Sequence, residues 1–222
     1  MFSHLIAVAC LIAVLQPFSA KAGVLTIQNL TPDATSVYAL ADSGGSLILG
    51  NTADNLQVGY FTLNDAGILD AWNAGDLISI NSSFVRFGDA FGMEDFGLGY
   101  DGIFSAAPAG FSDPFAGKNI YLFASTGSDF TDLSAQYLIY KFDATFTADP
   151  FAGELALGTN TYPGVLLVGG FGNFSFDIIP GGEELPGFNT VGVIPEPFTG
   201  ALLALGLGGL CWLRRRQQTK SA

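Results

Sequence analysis

Between Val24 and Ile179, short apolar runs rich in β-branched and aromatic residues are separated repeatedly by clusters of Gly, Asn, Asp and Pro. Branched and ring side chains pack well on a pleated surface, and the interrupting residues supply the dihedral angles of tight turns. Together they describe an antiparallel all-β domain. Strands are expected at Val24–Asn29, Ser36–Ala41, Ser46–Leu49, Leu56–Leu63, Leu77–Phe87, Asn119–Ser125, Gln136–Phe146, Val165–Val168 and Asn173–Ile179. This set suits a jelly-roll-like β-sandwich over residues 23–179. In Leu77–Phe87 the set Ile78, Ile80, Ser82, Phe84 and Arg86 alternates with its neighbours, which predicts a half-buried strand.

Helix signals are few. Asn64–Asn73 carries an Asx cap ahead of Ile68, Leu69 and Trp72 at helical spacing, and Gly153–Leu157 suggests a weaker turn. Turns are expected at Asn29–Asp33, Ser43–Ser46 and Pro180–Glu184, the last opening a polar stalk over residues 180–194.

The charges are distributed unevenly. All 20 acidic residues lie between Gly23 and Pro197, against only Arg86, Lys118 and Lys141, which leaves a net charge of -17 there. Such a surface repels phosphate backbones, so nucleic acid is not an expected partner. The single histidine is His4 and the two cysteines are Cys10 and Cys211, all outside this stretch. Within it, histidine- or thiol-dependent catalysis, thiolate zinc sites and disulfides are therefore excluded.

What chemistry remains rests on carboxylates, hydroxyls and three cations. A glycosidase needs two facing carboxylates, and none of Glu94, Glu154, Glu183, Glu184 or Glu196 sits in a recognisable motif. Asp89, Glu94, Asp95 and Asp101 form a compositional candidate for calcium, a hard cation that takes oxygen ligands; no EF-hand spacing is present, and no other metal or cofactor is expected. Gly97–Gly102 matches the letters of a dinucleotide fingerprint without the strand and helix that motif needs. Gly169–Phe174 places Phe174 where a calcium-binding nonapeptide has its ligand aspartate, so a twisted or bulged strand is expected instead. The long stretch Gly88–Gly117 embeds Phe91, Phe96, Tyr100, Phe104, Phe111 and Phe115 in small residues. Such phenylalanines either cap an end of the sandwich or form a surface; Trp72, Tyr100, Phe96 and Phe104 are the candidate ligand surface.

Both ends read as addresses. Met1–Leu15 is almost wholly apolar and is followed by Ala20-Lys21-Ala22, a small-x-small cleavage site, so residues 1–22 are expected to be a secretory signal peptide handled by the Sec export machinery. At the other end Pro195-Glu196-Pro197 precedes the apolar stretch 198–213 and Arg214-Arg215-Arg216, with 217–222 as a cytoplasmic tail. Sixteen helical residues span about 24 Å, short for a transmembrane helix but workable where the bilayer thins. The arginines hold that end inside.

The triplet, the short helix and the arginine cluster resemble the PEP-CTERM sorting signal over residues 195–216. Tyr60-Phe61, Gly117–Leu122 and Gln136–Phe142 are loosely similar to uncharacterised proteins carrying that signal. The resemblance implies an exosortase as partner, with Pro195, Glu196, Pro197 and Arg214 to Arg216 as recognition elements. It also implies transient anchoring in the inner membrane, then delivery to the cell surface or extracellular matrix, commonly among exopolysaccharide. The expectation is a noncatalytic structural or adhesive protein. A carbohydrate-binding module and a carboxylate-based glycoside hydrolase are the alternatives.

Overall fold

The computed structural model describes residues 22–29, 38–50, 53–93, 101–111, 114–147, 152–158, 163–176 and 183–193. Thirteen strands and two short helices are formed among these residues, so the protein is all-β in character. The strands are β1 (Ala22–Gln28), β2 (Ala39–Ala41), β3 (Leu56–Phe61), β4 (Phe84–Arg86), β5 (Ser105–Ala106), β6 (Ala109–Phe111), β7 (Asn119–Ser125), β8 (Gln136–Thr145), β9 (Ala152–Ala156), β10 (Gly164–Val168), β11 (Gly170–Phe176), β12 (Glu183–Asn189) and β13 (Val191–Gly192). The helices are α1 (Asp65–Asn73) and α2 (Leu77–Ser83).

The centre is a six-stranded sheet in the order β10-β8-β7-β3-β4, with β13 pairing β8. Its even-numbered residues Leu56, Val58, Ile120, Leu122, Ala124, Leu138, Tyr140 and Phe142 share a core with Leu25 and Ile27 of β1, Leu40 of β2, Leu155 of β9 and Phe188 of β12. That face thus packs on the other two sheets. The odd-numbered residues Phe61, Tyr121, Phe123, Tyr137 and Ile139 pack instead with Ile68, Trp72, Leu77 and Ile80 of the two helices. Side chains alternate across a strand, so β7 can be buried on both faces only because each has its own cover. Each large apolar side chain so enclosed contributes about 1.5–3 kcal/mol.

The pairing is not uniformly antiparallel. β9 runs parallel to β1, and β12 runs parallel to β2. Asn29, wholly buried, ties these regions together: its Nδ2 donates to the carbonyls of Tyr38 (3.1 Å) and Gly102 (2.7 Å), and its Oδ1 accepts from the Phe104 N–H at 2.8 Å.

Four expectations require correction. Leu77–Phe87 is a helix followed by a three-residue strand: Asp76 caps it by accepting from the Ser79 N–H at 2.9 Å, and Leu77 and Ile80 go inward while Ile78 is 79% exposed. The Gly153–Leu157 turn belongs to strand β9. Ser46–Leu49 forms only an isolated bridge, Leu47 to Ala41.

The stalk is the fourth. Glu183–Asn189 is β12, which pairs β11 along its length, and Phe188, Thr190 and Val193 are buried. β2 reaches β12 only from Gly187 onward, so Pro186 sits where that side of the strand is an edge, the position at which a strand tolerates proline. A Cβ on Gly187 would run into the Ala39 carbonyl and the Phe174 ring, which is why the close approach of β2 needs glycine there.

The Ser43–Ser46 turn forms as expected, whereas the expected turns at Asn29–Asp33 and Pro180–Glu184 lie mostly outside the described residues. The Asp42 carboxylate accepts from the N–H groups of Gly44 and Ser46, closing Ser43–Ser46. The β10–β8 register shifts between Leu166 and Val168, just ahead of Gly169 at φ +127°.

Candidate functional site

Of the four rings expected to form an aromatic surface, the two that are described, Trp72 and Phe104, are core. Trp72 is 8% exposed and meets the Tyr137 ring edge-on, with centroids 6.1 Å apart; Phe104 is fully buried 5.9 Å from Phe91. Both are large rings whose burial removes much apolar surface from water. Within the long Gly88–Gly117 stretch, β5 and β6 pair with β1, and Phe104 and Phe115 fold inward. Phe96 and Tyr100 lie outside the described residues.

Two of the four calcium candidates, Asp89 and Asp101, are among the described residues. Asp89 is exposed, and the Asp101 Oδ1 accepts from the Gly50 N–H at 2.7 Å. Glu94 and Asp95 lie outside the described residues, among which no group of three or more acidic, histidine or cysteine side chains comes together. Ala22 opens β1, opposite Phe111. Ala20, the segment 195–213 and Arg214 to Arg216 are also outside the described residues. Among those described, no helix is long and apolar enough to cross a membrane.

Two surface features carry chemistry. The first lies at the rim of the helix-covered face, where α1 begins. Asn64 caps α1 through its Oδ1 and the Gly67 N–H (2.8 Å), which fixes Asp65 in the first turn. Asp65 then reaches the central sheet: its Oδ2 accepts from Lys141 Nζ at 2.8 Å and its Oδ1 from the Tyr121 hydroxyl at 2.7 Å. Partial burial alone would raise the Asp65 pKa, but the bonds from Lys141 and Tyr121 outweigh it and hold the carboxyl below the usual range. Burial, and next the Asp65 carboxylate, push the Tyr121 phenol well above its ordinary value.

The sheet register brings Lys141 to this rim. Lys141 stands opposite Tyr121, Tyr121 opposite Gly59, and Gly59 opposite Arg86, one row across four strands. Lys118 arrives from the turn before β7, where Gly117 adopts φ +73° and the backbone of Lys118 bonds both Phe115 and Phe146. Its ammonium lies 5.6 Å from the centre of the Tyr60 ring. Tyr60, Asn64, Asp65, Lys118, Asn119 and Lys141 enclose a shallow cavity of about 240 Å³. Among the described residues Asp65 is the one carboxylate that lines it, where the facing pair of a glycosidase needs two.

The second feature is a groove of about 310 Å³ on the β11–β12 ribbon, lined by Tyr38, Phe171, Gly172, Asn173, Pro186 and Gly187. Phe171 is 74% exposed, the inner side of its ring resting 5.0 Å from that of Phe188, which in turn stacks on Tyr38 at 6.0 Å. Phe171 and Asn173 alternate onto one face with Pro186 and Phe188 opposite them. Sequence reasoning weighed Gly169–Phe174 as a calcium-binding nonapeptide against a twisted or bulged strand, and so passed over the ring it exposes. The signal that finds it is the period-two set Phe171, Asn173, Ser175 running beside Glu184, Pro186, Phe188.

No protein-family profile, curated protein or solved structure matches this chain.

Proposed function

We propose that the chain is an exported, noncatalytic protein, sorted by an exosortase-type system to the cell surface or matrix, where it adheres to polysaccharide. Export rests on residues 1–22, and sorting on Pro195-Glu196-Pro197 and Arg214 to Arg216. The β-rich body is read as a sandwich-like scaffold, a reading supported by the packing of the even-numbered face of the central sheet on two further sheets.

The observation that carries the adhesive reading is Phe171. A large ring held 74% exposed on a flat strand pair, beside the Asn173 amide and above an open groove, offers the apolar face and hydrogen-bonding partner that a pyranose ring uses. Single contacts of this kind are weak, and many copies on one surface multiply their avidity. The same geometry favours a carbohydrate-binding module as the second reading.

A glycan-binding screen with the full chain tests it. Retention on neutral polysaccharide, lost in Phe171→Ala, supports the reading; no retention by the wild type, or release of free sugar, refutes it. Sorting is tested separately by replacing Arg214, Arg215 and Arg216 with neutral residues, which is expected to leave export intact and block processing of the tail.

A further inference from the structure

We infer that the cavity between Lys118 and Asp65 binds the carboxylate of an acidic sugar unit, directly and without a bridging metal ion. Its charge is the first argument. Lys118 and Lys141 against Asp65 leave the lining at +1, within a stretch whose net charge is -17. At physiological salt the Debye length is about 8 Å, so distant carboxylates are screened while the lining is not. The Asp65 oxygens are already held by Lys141 and Tyr121, which leaves the Lys118 ammonium as the cation that forms no ion pair with any described residue. One carboxylate neutralises the lining; a phosphate dianion would leave an excess negative charge beside Asp65.

The second argument is shape and polarity. The cavity is smaller than the roughly 300–1,000 Å³ of drug-sized sites, which suits a single ring-sized unit. The amides of Asn64 and Asn119 line the same cavity, polar groups suited to sugar hydroxyls, with the Tyr60 ring beside Lys118. A simple carboxylate would use only the cation; a uronate uses the rest.

The third is preorganisation. Lys118 is carried on a turn whose backbone bonds Phe115 and Phe146, both buried, so little backbone freedom is lost on binding. The inference does not depend on the Phe171 groove, which lies on different strands.

Titration of the full chain in mild detergent with a trigalacturonate probe, in the presence of a calcium chelator, tests it. Maltotriose and inorganic phosphate are the controls. Saturable uronate binding is expected, at least about tenfold tighter than either control and weakened by added salt. Lys118→Gln should lose about tenfold in affinity while Lys118→Arg stays within about threefold, and Phe171→Ala should leave uronate binding unchanged. Lys118 is exposed, so its variants are expected to fold as the wild type does. Absence of uronate binding, equal binding of phosphate, a dependence on calcium, or an unchanged Lys118→Gln would each overturn the inference. Loss of uronate binding in Phe171→Ala would reassign the ligand to the groove.

Discussion

The two faces of the central sheet are made from the same strands and buried differently. One packs on β1, β2, β9 and β12 through Leu, Ile, Val and Phe, and its cover is itself hydrogen-bonded sheet. The other packs on two helices of nine and seven residues, and its core is a chain of rings: Phe61, Phe123, Phe130, Tyr137 and Trp72. Short helices cover only part of a sheet. Where α1 starts, the uncovered rim is polar and takes in Asp65, Lys118 and Lys141, so the less completely covered face is the one that holds the cavity.

The sharpest way to break this comparison is to hollow each side. Phe142→Ala on the sheet-packed face and Phe123→Ala on the helix-packed face should each cost about 3–5 kcal/mol, with Phe142→Ala at the upper end because hydrogen-bonded sheets close a void less readily than helices shift. Denaturant unfolding measures both, and the reverse order would show the helix layer to be the stiffer cover.

Alkali gives the next effect. Burial raises the phenols of Tyr121, Tyr137 and Tyr140, Tyr137 to about 12, with the Asp132 and Asp129 carboxylates adding to its shift. A raised folded-state pKa means that the folded protein holds the proton more tightly. The stability is therefore complete below pH 10 and is lost as pH rises toward 12, by at most about 3 kcal/mol for Tyr137. Two of the three phenols lie on the helix-packed face. Tyr137→Phe should accordingly flatten the alkaline fall in melting temperature more than Tyr140→Phe does, and absorbance at the phenolate band should lag behind free tyrosine.

The smallest effect is at the cavity. The Lys141–Asp65 pair is partly exposed, 25% and 39%, so a double-mutant cycle should give a coupling of no more than about 1 kcal/mol, falling with salt. Because the Asp65 pKa is lowered below 3.8, its contribution is present above that value and is lost as pH falls through the depressed one; Asp65→Asn should remove this acid dependence.

The strands were legible where apolar runs were long and their bounding turns strong. β3, β7, β8 and β10 lie within a few residues of expectation. Ile120–Ala124 and Tyr137–Tyr140 are unbroken apolar runs without alternation, the mark of strands covered twice, and this separates them from the half-buried pattern that Leu77–Phe87 imitates. There alternation argued for a strand, but the structure forms a helix that Asp76 caps at the Ser79 N–H, and Leu77 and Ile80 pack from it toward the sheet. The cavity was half legible. The scarcity of cations was plain in the composition, but the convergence of Lys118 and Lys141 depends on the pairing of β7 with β8, which no local pattern carries.

β13 and the buried Val193 bring the folded body close in sequence to the proposed C-terminal sorting signal. Only Ile194 separates Val193 from Pro195, and a fully extended residue spans about 3.3–3.6 Å. In the proposed sorting, an enzyme that grips the Pro195–Pro197 triplet would work within a few residues of the buried Val193. Clearance, as much as motif recognition, would then govern how fast the chain is released, and a partly unfolded copy would present the triplet more freely than a finished one.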